Sequence, residues 1–126
     1  MQEKDLALRI AQVLYDRKAQ DILVLKVGHL TVLTDYLVIA NGNNALQTRA
    51  LMEHVDEALS REGITPTRLE GQNESRWIVM DYNSVIVHLF HPEDRSFYRL
   101  ERLWADGNNR VELPFEQTSE QAEPAQ

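Results

Sequence analysis

The chain has 126 residues, of which 43% are hydrophobic, a length and composition that support one domain with a single core rather than two domains. It contains no cysteine, which excludes a disulfide framework, a thiolate zinc site and a cysteine nucleophile. Its formal net charge of −7 is opposite to that of a surface that attracts phosphates. We therefore expect a protein partner and no direct, sequence-specific binding of nucleic acid.

The amino-terminal half alternates helical and extended patterns. Residues 3–19 are predicted to form a helix because apolar side chains recur every three or four positions, and residues 21–27 and 36–40 have the length and branched residues of strands. The first residues lack the uncharged apolar run of a signal peptide, and no segment approaches membrane-spanning length. We expect a soluble, cytoplasmic protein that does not contact a membrane.

The carboxy-terminal half contains the more strongly marked elements. A second helix is predicted over 45–62, capped by the preceding asparagines and ended by Gly63. A short extended piece at 67–70 and a hairpin over 77–90 follow. Pro92 indicates the first turn of a last helix, whose apolar positions include Phe97, Leu100 and Trp104.

This order of elements predicts the fold class. It indicates a single α/β domain, with a mixed sheet of about five strands, helices mainly on one face and the other face open. We place the domain at residues 1–108. Residues 109–126 are predicted to be an acidic, disordered tail, because the last sixteen residues contain four glutamates and neither lysine nor arginine.

The hairpin has two apolar faces if Asn83 and Ser84 form a two-residue turn, a position that suits asparagine because it tolerates positive φ. One face is plain core, with the cross-strand pairs Tyr82/Val85, Met80/Val87 and Ile78/Leu89. The other face carries the pairs Trp77/Phe90, Val79/His88 and Asp81/Ile86.

Two interpretations of that second face remain open. Aromatic rings beside a few charges are enriched at the centres of interfaces, which favours a recognition surface. Alternatively, a helix of the same domain packs over this face, with His88 hydrogen-bonded and Trp77 in a second layer of core. The carboxylate of Asp81 is unusual for a helix-packing face, because aspartate is almost never fully buried unless it is paired.

Enzymatic interpretations are less well supported. The sequence IANGNN precedes a predicted helix and could hold an anion, but it has one glycine and no following Lys-Ser/Thr, so a helix cap is the better interpretation. Nucleotidyl transfer needs two or three carboxylates converging on magnesium, and Asp81 has no acidic neighbour on its face of the strand. We expect the protein not to be an enzyme.

No metal or cofactor is predicted either. The four histidines, at positions 29, 54, 88 and 91, lie on different elements and show no helical i, i+4 pair. His88 and His91 flank a strand end, and a zinc site there would need ligands from elsewhere in the chain. His88 with Asp81 could imitate an acid/base pair, but no nucleophile is placed beside them.

Three motifs identify a family resemblance, TDYLVIANGN, LEG and WIVMDYNSVIVHLFHPEDRSFYRLERLW. In this order they resemble the Iojap-like ribosomal silencing factors over about residues 4–105. Two departures fall in turns, with Asn41 where serine or threonine is usual and Asn83 where glycine is common.

The resemblance implies a function and a site. It implies binding of the large ribosomal subunit through its ribosomal protein fourteen, exclusion of the small subunit and repression of translation. It also implies a fold similar to nucleotidyltransferases without their catalytic carboxylates, and a homodimer off the ribosome.

We expect the partner-binding residues to be Trp77 and Phe90 as apolar anchors, Asp81 as acceptor for a basic side chain, His88 as an orienting group, and Tyr82 and Tyr98. A nucleotidyltransferase-like enzyme and a general dimeric interaction module are the alternatives.

Overall fold

The computed structural model describes residues 2–117, which form one α/β domain. The elements in chain order are α1 Glu3–Asp16, β1 Gln20–Lys26, β2 Tyr36–Asn41, α2 Ala45–Ser60, β3 Arg68–Glu70, β4 Trp77–Asp81, β5 Val85–Phe90, α3 Pro92–Tyr98 and α4 Leu100–Trp104. The predicted fold class is confirmed, and the predicted elements differ from these mainly by a few residues at their ends.

The five strands form one mixed sheet in the order β1-β2-β5-β4-β3. Only β2 and β5 are parallel, and the other three neighbouring pairs are antiparallel. The β4–β5 hairpin has the predicted register, with Trp77 opposite Phe90 and Met80 opposite Val87. Its turn also forms as predicted, because Asn83 adopts a φ of +71°.

One face of the sheet is covered mainly by α1 and α2. Both helices place an apolar stripe on the sheet, and the strands contribute every second residue to the same core. The hairpin residues that face this layer are Ile78, Met80, Tyr82, Val85, Val87 and Leu89. The loop before α2 is the helix cap that its sequence indicates, because the Asn44 side chain accepts a hydrogen bond from the Gln47 N–H at 2.8 Å.

The opposite face is partly covered, which corrects the prediction of an open face. Leu100 of α4 is buried against β1, β2 and β5, and Trp104 packs at the edge of this second cluster. The helices α3 and α4 have only seven and five residues, so they cannot cover five strands. The second layer is therefore incomplete over β4 and the hairpin.

The predicted single last helix is two short helices. Pro92 occupies the first turn as predicted, and the His91 side chain accepts from the Glu93 N–H at 3.2 Å. The break occurs at Arg99, which has a left-handed backbone with φ and ψ both +50°. This change of direction brings Leu100 down onto the sheet and leaves Phe97 exposed.

The domain extends beyond the predicted boundary at residue 108. Val111, Leu113 and Phe115 pack against the core of the α1–α2 face, and the Phe115 ring stacks on Tyr15 with centroids 4.2 Å apart. The Gln117 side chain bonds the backbone N–H and C=O of Ile22 at 2.8 and 3.0 Å. The first nine residues of the predicted tail are therefore part of the domain, and its remainder lies outside the described residues.

Truncation after Asn109 should therefore destabilise the protein. Loss of three partly buried apolar side chains and of the Gln117 anchor predicts a decrease of about 3 kcal/mol in the free energy of unfolding. A chain that ends at Gln117 keeps all of these contacts and is the matched control. Urea denaturation followed by tryptophan fluorescence measures both, and equal midpoints for the two truncations would contradict the packing role of residues 110–117.

Candidate functional site

The incomplete second layer leaves a groove on the sheet, which we call the sheet-face groove. Its volume is about 420 Å³, and most of its exposed lining is apolar. It lies between β4 and β5 on one side and the β1–β2 loop and α4 on the other. Its lining side chains are Val27, Thr31, Leu33, Thr34, Leu37, Arg68, Glu70, Val79, Asp81, Ile86, His88, Leu100 and Trp104. The predicted residues Asp81 and His88 are thus brought together in one concavity.

Beside the groove lies an aromatic cluster made of Trp77, Phe90, Phe97 and Tyr98. The Trp77 ring has its centroid 5.0 Å from that of Phe90 and 4.7 Å from that of Tyr98. Phe97 meets Tyr98 edge to face at 4.9 Å and is 78% exposed. The cluster therefore rises from the buried ring of Phe90 through Trp77 to two rings at the surface.

His88 joins the groove to the aromatic cluster. The Trp77 indole N–H donates to His88 Nδ1 at 3.0 Å, across the two strands of the hairpin. This hydrogen bond requires a lone pair on Nδ1, so the proton of the neutral ring resides on Nε2. Burial lowers the pKa of His88 to about 4, and the ring is therefore neutral at physiological pH. A neutral imidazole can line an apolar groove without the cost of a buried charge.

The chain before β4 fixes the position of Trp77. Gly71 has a φ of +85°, and a Cβ built on it would lie 2.0 Å from the Trp77 carbonyl oxygen, so only glycine fits there. Arg76 pairs with Glu93 at 3.1 Å and with Asp94 at 2.6 Å. These ion pairs connect the start of β4 to the first turn of α3, the helix that carries Tyr98 over Trp77.

The presence of Asp81 on this apolar face is explained by a local hydrogen bond and does not require a partner protein. One carboxylate oxygen accepts the Asn83 N–H at 2.8 Å, an interaction that stabilises the hairpin turn. The carboxylate is only partly buried, and Arg68 is its cross-strand neighbour. The Asp81 carboxylate therefore does not require a cationic group from a partner protein to offset its burial. Asp81 nevertheless lines the groove.

Two of the expected contact residues are placed in the interior. Phe90 has no exposed surface, so it supports Trp77 from below and cannot itself contact a partner in this conformation. Tyr82 belongs to the core on the α1–α2 face, where burial raises the pKa of its hydroxyl group. Phe90 is buried in the cluster that contains Leu100 of α4, with the Trp77 ring packed on it, and Tyr82 is buried in the core between the sheet and the helices α1 and α2.

This surface also contains residues that were not expected from the sequence. The β1–β2 loop carries three exposed apolar side chains, Leu30, Val32 and Leu33, of which Leu33 lines the groove and is 74% exposed. A run of apolar residues in a segment that has no strand or helix pattern is the signal that could have revealed them. Phe97 was assigned to the apolar stripe of one continuous helix, and the break at Arg99 exposes it.

Between residues 2 and 117, no three histidine, aspartate or glutamate side chains are grouped so that they could hold a metal ion. None of the helices in this part of the chain has the length and apolar character needed to cross a bilayer.

The His88 geometry predicts a pH dependence of stability. Because the pKa of His88 is lowered on folding, the unfolded chain takes up a proton first as pH falls. The contribution of neutral His88 to stability is therefore fully present above the ordinary histidine pKa of about 6.5. As the pH falls from there toward 4, the free energy of unfolding should decrease by about 1 to 3 kcal/mol. His88→Gln, whose amide oxygen can still accept from Trp77, should lose less stability in this window. Urea midpoints measured at several pH values compare the two, and parallel curves for parent and variant would exclude the histidine as the cause.

Comparison with known proteins gives concordant results for sequence and structure. The family model described as "Ribosomal silencing factor during starvation" matches residues 1–126. The Ribosomal silencing factor RsfS of Bacillus subtilis is 35% identical over 106 residues, covering 84% of this chain and 90% of the relative. A mouse protein named "Mitochondrial assembly of ribosomal large subunit protein 1" is 30% identical and is covered over 43% of its length.

A solved structure extends the similarity to the fold. The crystal structure of a protein from Chromobacterium violaceum superposes with a TM-score of 0.80 at 27% identity, with 98% of each chain covered. The expected similarity to nucleotidyltransferases stays a prediction. The match of the family model to the whole sequence, together with the relative from Bacillus subtilis, shows that the chain belongs to the ribosomal silencing factor family.

Proposed function

We propose that this protein binds the large ribosomal subunit in the cytoplasm through ribosomal protein fourteen, and that it thereby blocks the small subunit and represses translation. The membership in the ribosomal silencing factor family supports a role in ribosome silencing. The observation that carries the finer proposal is the sheet-face groove with the exposed apolar residues at its rim. No catalytic step is needed, because a folded domain seated on a joining surface excludes the other subunit by its volume.

The apolar residues around the groove support binding of a protein. Val32 is fully exposed and Leu33 is 74% exposed, both on the β1–β2 loop that borders the groove. Clusters of exposed apolar groups on a soluble domain mark interaction sites, because burying them in a complex removes apolar surface from water. Trp77 and Tyr98 add ring area next to the groove, and His88 supplies a hydrogen-bonding edge within it.

The charge of the chain supports the choice of partner. With a net charge of −7, the protein is attracted to a basic ribosomal protein and repelled by the phosphates around it. Repulsion from the wrong surface contributes to specificity as much as attraction to the right one. The name of the mouse relative, which refers to the ribosomal large subunit, favours that subunit as the target.

Homodimerisation is the second candidate use of the same surface. The exposed apolar rim would also be covered by a second copy of the chain, and a dimer off the ribosome would then have to dissociate before binding. Analytical ultracentrifugation of the protein alone and with large subunits separates the two cases.

An enzymatic function is tested by thermal shift with magnesium and nucleoside triphosphates.

The charge of the partner can be tested at Leu33. Leu33→Lys and Leu33→Glu remove the same apolar contact from an exposed loop, but they add opposite charges. Against a basic partner, we expect the lysine variant to bind large subunits at least about 1.4 kcal/mol more weakly than the glutamate variant, because like charges repel at an interface. Co-sedimentation with separated subunits on sucrose gradients measures both affinities.

Leu46 provides the matched control for these variants. It is 81% exposed at the start of α2, on the other side of the sheet. Leu46→Lys and Leu46→Glu should bind as the parent does. Equal binding by the two Leu33 variants would contradict a basic partner at the groove, and unchanged binding by both would place the interface elsewhere.

A further inference from the structure

A second concavity lies away from the groove, and its charge is opposite to that of the chain as a whole. Its volume is about 760 Å³, and it is bounded by the ends of β1 and β2, by α3 and α4, and by the carboxy-terminal segment. Four arginines from three parts of the sequence line it, Arg95, Arg99, Arg102 and Arg110. We call it the arginine pocket.

Positive charge is in excess in the arginine pocket. Its lining includes only two carboxylates, Asp21 and Glu101, and Glu101 lies 3.6 Å from the Arg95 side chain. Within residues 2–117, Arg99, Arg102 and Arg110 have no carboxylate within ion-pair distance. All three are exposed residues. They are therefore available to a negatively charged ligand.

The guanidinium group of Arg95 forms a fixed base for the pocket. One terminal nitrogen donates to the Asp21 carbonyl oxygen at 2.6 Å and to Asn41 Oδ1 at 3.1 Å. The side chain is only 12% exposed. Burial lowers the pKa of Arg95, while the nearby carboxylates of Glu101 and Asp21 act in the opposite direction. A guanidinium already held in place loses little entropy on binding an anion.

Arg99, one of five non-glycine residues with a positive φ between residues 2 and 117, lies at the edge of the pocket. Arg99 has φ and ψ of +50°, which is unfavourable for a residue with a Cβ, and its Nε donates to the Ser96 carbonyl at 3.3 Å. The helix break there allows Arg99 and Arg102 to line the pocket together with Arg95. Strain of this kind is concentrated at functional sites.

The kind of charged residue indicates the kind of anion. All four cations are arginines, whose planar groups donate paired hydrogen bonds to phosphate oxygens. The amide side chains of Gln20, Asn41 and Gln117 add polar groups to the wall. We propose that the arginine pocket binds a phosphate-bearing ligand, with Arg99, Arg102 and Arg110 contacting the phosphates above the fixed guanidinium of Arg95. The phosphates could belong to a free polyphosphate or nucleotide, or to an RNA backbone, and the site does not depend on the role of the groove.

The test uses the full chain, with inorganic tripolyphosphate as the probe in isothermal titration calorimetry at low salt. The double variant Arg102→Gln/Arg110→Gln removes two exposed charges and leaves the buried Arg95 network intact. We expect its Kd to rise about tenfold or more, because two charge-assisted contacts are lost. The double variant Arg17→Gln/Arg61→Gln changes the net charge equally at the distant α1–α2 end and should bind within about twofold of the parent.

Competition identifies the source of the phosphates. A short single-stranded RNA that displaces tripolyphosphate, with the same loss in Arg102→Gln/Arg110→Gln, supports the site and assigns it to an RNA backbone. If a nucleoside triphosphate displaces tripolyphosphate and RNA does not, the result supports the site and assigns it to a free ligand. Absence of tripolyphosphate binding by the parent at millimolar concentration would overturn the proposal, as would an equal loss of affinity in both double variants.

Discussion

The five-stranded sheet has two apolar faces, and both must be covered by a small number of helices. The rest of the structure depends on this constraint. The long helices α1 and α2 cover most of one face. The other face receives only the short helices α3 and α4, of which α4 contributes Leu100 to the buried cluster. The second hairpin face is therefore divided, with buried residues beside Leu100 of α4 and an accessible groove next to them, and its role as a recognition surface stays a prediction. The surface that we propose for ribosome binding exists because the second layer is incomplete.

The position of the surface residues follows from that partial coverage. Trp77 lies where covered and accessible areas meet, packed on buried Phe90 and hydrogen-bonded to His88. Its indole is therefore held in one orientation, which reduces the entropy that the proposed anchor loses on binding. The same break between α3 and α4 that leaves Phe97 exposed also gathers arginines on the far side of these helices.

Local patterns predicted the local structure well. The hairpin register was predictable because side chains alternate between faces and the Asn83 turn fixes which residues are opposed. The αL backbone of Arg99 was not predictable, because arginine has no preference for this conformation and only tertiary packing holds the residue in it. Phe90 was expected to contact a partner, but it is buried in the cluster that contains Leu100, the residue that follows that break. The packed segment beyond residue 108 did carry a signal, since Val111, Leu113 and Phe115 alternate with polar residues and proline, but the acidic composition of the last residues obscured it.

We propose that the protein silences ribosomes by occupying a joining surface of the large subunit. An order-of-addition experiment can test this proposal, with light scattering reporting the association of small and large subunits. We expect excess protein to suppress the association signal when it meets large subunits first, and to have little effect when it meets small subunits first and is removed before mixing. Dissociation of preformed ribosomes as rapid as the block of joining, or suppression after exposure of small subunits alone, would contradict steric exclusion on the large subunit.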